Sequence, residues 1–112
     1  MKFQTHNETE VNIFETCWTL STIQATRAAL CKAFGAPIDT SGAGDKVNFE
    51  WNIQFEDGRV ATIYDWKEDP VADDVPVTWH IGAKPDEKSQ EIVALVHNAF
   101  RAAHGLTYRS AA

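Results

Sequence analysis

A chain of 112 residues with a 44% hydrophobic fraction fits one domain able to bury its own apolar core. Ten basic against sixteen acidic residues give a net charge of -6, the wrong sign for a surface that tracks nucleic-acid phosphates, so neither DNA nor RNA is expected as a partner. Met1 to Glu10 lacks a basic or apolar leader pattern, and no run approaches the roughly 18 apolar residues of a membrane span, which points to a cytosolic protein.

Residues 1–9 are polar and unpatterned and read as a flexible arm, residues 10–106 as a single α+β domain, and residues 107–112 as a flexible tail. Residues 11–20, VNIFETCWTL, are β-branched and aromatic and predict a strand. Ser21 followed by Gln24 has capping-box spacing and predicts a helix over residues 22–34, with Ile23, Leu30 and Phe34 at helical spacing. Gly35 and Pro37 supply its stop. The segment SGAGDK at 41–46 has the glycines of a phosphate loop, but a strand follows it where such a loop needs a helix N-terminus; it reads as a plain loop.

The strongest pattern follows. Val47, Phe49, Trp51, Ile53 and Phe55 alternate with Asn48, Glu50, Asn52 and Gln54, the period of a half-buried strand. Asp57-Gly58 then predicts a hairpin whose return strand is residues 59–66. Two registers are open: a two-residue loop opposes Trp51 to Tyr64, and a three-residue loop with a glycine bulge opposes Trp51 to Ile63, turning Tyr64 and Trp66 to the other face. Residues 67–76 form an acidic, proline-bounded loop with Glu68, Asp69, Asp73 and Asp74 but without calcium-loop spacing, and read as solvated. Val77, Trp79 and Ile81 alternate with Thr78 and His80 as a third meander strand, led by Pro76 and ended by Gly82.

A last helix is expected from Pro85, with Asp86 and Glu87 in its first turn. Ile92, Leu95, Val96, Ala99 and Ala103 make its buried stripe and Gly105 its stop. The predicted order is β-α-β-β-β-α, a two-layer sandwich of an antiparallel meander with both helices on one face. An edge strand left without a neighbour predicts a homodimer, with Pro76 guarding one edge.

Cys17 and Cys31 lack CxxC spacing and read as small core residues. His6, His80, His97 and His104 lack the spacing that aims two ligands at one ion, so no metal or other cofactor is expected. The candidate site comes from the aromatics. The hairpin brings its distal ends together, so Lys46 and Lys67 fall beside Tyr64 and Trp66, and Trp79 and His80 arrive from the neighbouring strand. Cations beside exposed rings suit both a nucleotide and a protein hot spot.

The blocks FGAP at 34–37, KVNFEWNIQFEDGRVATIYDWK at 46–67 and WHIG at 79–82 resemble a family of small, mostly uncharacterised proteins of tailed bacteriophages, over about residues 25–100. The chain departs from that pattern at Ala83, where a second glycine is usual, and in its longer N-terminal arm. The resemblance carries no catalytic motif. It implies a protein of the host cell cytoplasm that is not an enzyme and acts by binding: first a host bacterial defence protein, second a small nucleotide immune signal that it would sequester. A third reading, from the residues alone, is a small hydrolase pairing His80 with Asp65 or Glu50.

Overall fold

Strand β4, Phe49–Phe55, shows why the alternation matters. Trp51, Ile53 and Phe55 point to one face and are buried against both helices, with Phe49 partly buried beside them. In the computed structural model, which describes residues 2–6, 18–39, 47–66, 71–83 and 89–105, six antiparallel strands and two helices make an α+β sandwich. The sheet order is β1 (Phe3–Thr5), β4, β5 (Val60–Tyr64), β6 (Pro76–Ala83) and β2 (Trp18–Thr26), with β3 (Ile38–Asp39) also on β4.

The hairpin takes the second of the two registers. Trp51 opposes Ile63 and Glu50 opposes Tyr64 across β5, Val60–Tyr64. Phe55 N–H donates to Arg59 O at 2.8 Å and Gly58 N–H to Phe55 O at 2.9 Å, closing a three-residue loop. Gly58 sits at φ 91, where a side chain is strained, which makes glycine the residue for this bulge. Ile63 and Ala61 therefore join the core, as do Ile81 and Ala83 opposite them on β6, Pro76–Ala83. β6 runs one residue beyond Gly82, and Pro76 leads an interior strand bounded by β2 instead of guarding a sheet edge.

The N-terminal arm is corrected by the structure. Phe3–Thr5 form strand β1 on the outer edge of β4, opposite Phe55, Gln54 and Ile53. The Phe3 ring packs on Phe34 at 5.4 Å and on Phe55 at 6.4 Å, so apolar contact holds this short strand in place. β3, Ile38–Asp39, covers the other half of the same β4 edge, opposite Glu50 and Phe49.

The first helix is also displaced. Ser21 to Thr26 belong to β2, Trp18–Thr26, which pairs with β6 along its whole length, and residues 11–17 lie outside the described residues. Ile23 and Ala25 alternate into the core as strand residues, so tertiary pairing overrides the Ser21–Gln24 spacing. The actual N-cap is Thr26, whose Oγ1 accepts from Ala29 N–H at 3.1 Å; helix α1 is Arg27–Phe34. Gly35, at φ 84, ends it as expected and donates its N–H to Cys31 O.

The acidic loop is more than a solvated connection. Residues 71–76 are exposed, yet Asp73 O accepts from Ala28 N–H at 2.9 Å, satisfying a donor of the first turn of α1. Arg27 Nη1 donates to Val71 O at 3.1 Å, and its guanidinium lies 4.1 Å from the Phe49 ring centre. Helix α2, Ser89–Ala103, buries Ile92, Val93 and Val96 beside Leu30 and Phe34 of α1. His104, just past its end, lies with Nε2 2.9 Å from Ala29 O, tying the two helices together. Residues 84–88, including Pro85, and residues 106–112 lie outside the described residues.

Candidate binding face

The helices cover one face of the sheet. The register determines what the other face presents. Glu50, Tyr64, His80 and Thr22 are direct cross-strand partners in succession, so β4, β5, β6 and β2 contribute one residue each to a transverse row. A second row, Asn52, Thr62 and Gly82, lies beside it. Cross-strand side chains on one face approach within roughly 4.5–5.5 Å, so each row acts as a unit.

Within the first row, Tyr64 and His80 stack at 5.6 Å between ring centres with 21° between planes. The His80 Nδ1 is buried and has no hydrogen-bond partner among the described residues. Such an atom costs about 1–3 kcal/mol if nothing satisfies it. Burial pushes the Glu50 carboxyl above its ordinary pKa, partly offset by a hydrogen bond with the Asn52 side chain. Asn52 and Thr62 are only 6% and 4% exposed, so this face holds polar groups away from water instead of displaying them. At its margins Gln24 Nε2 donates to Thr78 Oγ1 at 3.1 Å, and His6 Nε2 lies 2.9 Å from Gln54 Oε1.

Of the six residues singled out in the sequence, the structure brings two together, Tyr64 and His80. Trp79 is corrected: it points to the helix side, is 1% exposed, and gives its indole N–H to Ala25 O at 2.9 Å. Alternation along β6 forces this, since Trp79 and His80 are adjacent and face opposite ways. Trp66 is 44% exposed, beyond the end of β5. Lys46 and Lys67 lie outside the described residues.

Asp65 serves the fold. Its carboxylate accepts from Asn48 N–H and Asn48 Nδ2 at 2.8 Å each and from Phe49 N–H at 3.1 Å, all in buried or half-buried surroundings. Glu50 and His80 stand two strands apart with Tyr64 between them, about 9–10 Å along the sheet. The residues that sequence reasoning passed over are Asn52, Thr62 and Thr22; once the register is known, their polar alternation places them on this face.

Among the described residues, no three His, Cys, Asp or Glu side chains converge to hold a metal ion, and no helix is long and apolar enough to cross a membrane. An open groove of about 410 Å³ lies apart from the two rows, lined by Lys2, Phe3, Gln54, Phe55 and Glu56 at the hairpin end. No family model and no curated protein matches this chain.

Proposed function

We propose that this chain is a non-enzymatic binding protein that antagonises a bacterial defence system by seating a host defence protein on the polar face of its sheet, centred on Tyr64 and His80. The observation that carries this reading is the Tyr64–His80 stack beside the buried His80 Nδ1, on the face that neither helix covers. Tyr is among the residue types that dominate interface hot spots, and here the stack on His80 holds its ring in one orientation. Trp66 adds exposed aromatic surface at the end of β5. The resemblance of KVNFEWNIQFEDGRVATIYDWK and WHIG to tailed-phage proteins supports a bacterial host and its cytoplasm as the setting.

The test is plating efficiency. Bacteria carrying individual defence systems and expressing the chain are challenged with phage, in parallel with a Tyr64→Ala, His80→Ala variant shown by circular dichroism to be folded. Restored plaques with the wild-type chain and none with the variant are the expected result. Equal plaque counts for the two chains would remove this face from the interaction.

The second reading is sequestration of a small nucleotide signal, favoured by the partly buried Tyr64 ring, already stacked on His80, as a surface on which a base could stack. It ranks below the first because a phosphate needs cations, and the residues of the two rows, Glu50, Tyr64, His80 and Thr22 with Asn52, Thr62 and Gly82, include no Lys or Arg. Calorimetric titration with cyclic and ADP-ribose-derived nucleotides separates the two: saturable heat that the double variant loses would favour sequestration.

A further inference from the structure

The two edges of the sheet are built differently. The outer side of β4 is covered along its length by β1 and β3 in turn. At the opposite end β2 pairs with β6 on one side, and among the described residues no strand pairs with the other. β2 is nine residues long, WTLSTIQAT, and contains no charged residue and no proline. Edge strands that remain monomeric are ordinarily short, charged, interrupted by proline or bent by a bulge. β2 has only the last of these, a register shift between Thr19 and Ser21, and beyond it Ser21 to Thr26 run in unbroken register.

We infer that this edge is the interface for a second copy of the chain, with β2 pairing antiparallel to its symmetry mate to join the two sheets. A two-fold axis normal to the sheet pairs positions of the same parity. Ile23 and Ala25 of both copies then stay on the helix side, and Thr22 and Gln24 of both stay on the polar side. An unrelated segment would need the same alternation by coincidence; the chain's own strand has it by symmetry. Charge points to the same edge, because two copies each carrying -6 repel through most surfaces, whereas β2 brings no charged side chain of its own to the junction. α2 packs against β2, so the two α2 helices flank the junction and continue the helix layer across it.

The pairing has a functional consequence. Thr22 ends the row that runs through Glu50, Tyr64 and His80, so joining two β2 strands extends the polar face across the axis. The two β6 strands stand three strand spacings apart, roughly 14–15 Å, and the dimer presents two Tyr64–His80 stacks on one surface. The inference does not depend on what that surface binds.

Sedimentation equilibrium of the full chain tests it, together with Thr22→Lys and Gln24→Lys in one variant, both side chains being exposed. The wild-type chain is expected to sediment as a dimer and the lysine variant, with unchanged circular dichroism, as a monomer. In a chain with Cys17→Ser and Cys31→Ser, cysteines at 22 and 24, singly and mixed, are expected to give a disulfide dimer; a cysteine at exposed position 4 on the opposite edge gives none. A monomeric wild-type chain at high micromolar concentration overturns the inference, as does a lysine variant that remains a dimer. Should the lysines unfold the chain, the cysteine series decides alone, and crosslinking at 4 without crosslinking at 22 or 24 overturns it.

Discussion

Trp51 and Trp79 meet edge to face at 5.2 Å in the centre of the core, yet their indole N–H groups go to opposite ends of the same helix. Trp79 Nε1 donates to Ala25 O at 2.9 Å, just before α1, and Trp51 Nε1 donates to Gly35 O at 2.8 Å, just after it. An eight-residue helix is too short to hold itself in water, so these two bonds and the Thr26 cap set where it begins and ends.

Replacement of either tryptophan by Ala is expected to cost about 3–5 kcal/mol in urea denaturation, as for other large core side chains. The Phe replacements distinguish the two. Trp79→Phe leaves a buried carbonyl without its donor, at about 1–3 kcal/mol, whereas Gly35 is exposed and water can replace the lost bond in Trp51→Phe. Trp79→Phe should therefore be the more destabilising, and the reverse order would contradict the assigned partners.

Asp65 holds three donors from Asn48 and Phe49 at the open end of the hairpin. Asp65→Ala orphans them and is expected to cost at least about 2–3 kcal/mol, with most of the effect in stability. A well-folded Asp65→Ala variant that loses binding without losing stability would instead mark Asp65 as a contact residue.

Gly58 at φ 91 fixes the bulge, and through it the register that puts Tyr64 opposite Glu50 and Ile63 opposite Trp51. Gly58→Ala should lower stability by about 1–2 kcal/mol, the usual cost of a left-handed alanine. Thermal unfolding checks this, and Gly58→Asn, which tolerates the conformation, should recover part of the loss.

The raised pKa of Glu50 gives a pH signature. Since burial favours its neutral form, the folded chain holds this proton more tightly than the unfolded chain. Its contribution to stability is full below the ordinary 4.5 and is lost as pH rises through the higher folded value. Relative to Glu50→Gln, which stays neutral, the wild-type chain should lose stability across that window and hold a constant difference above it. His97, whose pKa is lowered by burial and by Arg101, contributes equally to both chains and cancels. A difference between the two chains that does not change with pH would show that Glu50 is not desolvated in the fold.

The central strands were legible because β4 has four alternating apolar positions, with Val47 continuing the alternation before it, and a turn at Asp57-Gly58, signals that lie within one segment. β1 was not, because three residues carry no period and its partner lies some fifty positions away. The start of α1 was misread because Ser21 and Gln24 satisfy a local capping rule, while the pairing of β2 with β6, a long-range effect, keeps them extended. The site was half legible. YDWK and WHIG were expected as neighbours, but which of their rings face away from the helices depends on the hairpin register, which two turn types leave open. That register turns Tyr64 to the polar face, where its pairing with β6 stacks it on His80, while alternation within β6 sends Trp79 into the core.

The most direct test of the binding face is photo-crosslinking in infected bacteria, with a photoreactive phenylalanine analogue at position 64 and, as control, at exposed position 90 on α2. A partner seated on the polar face should give a discrete adduct with a host protein from position 64 and none from position 90. No adduct from 64, or the same adduct from both positions, would contradict the assignment of this face.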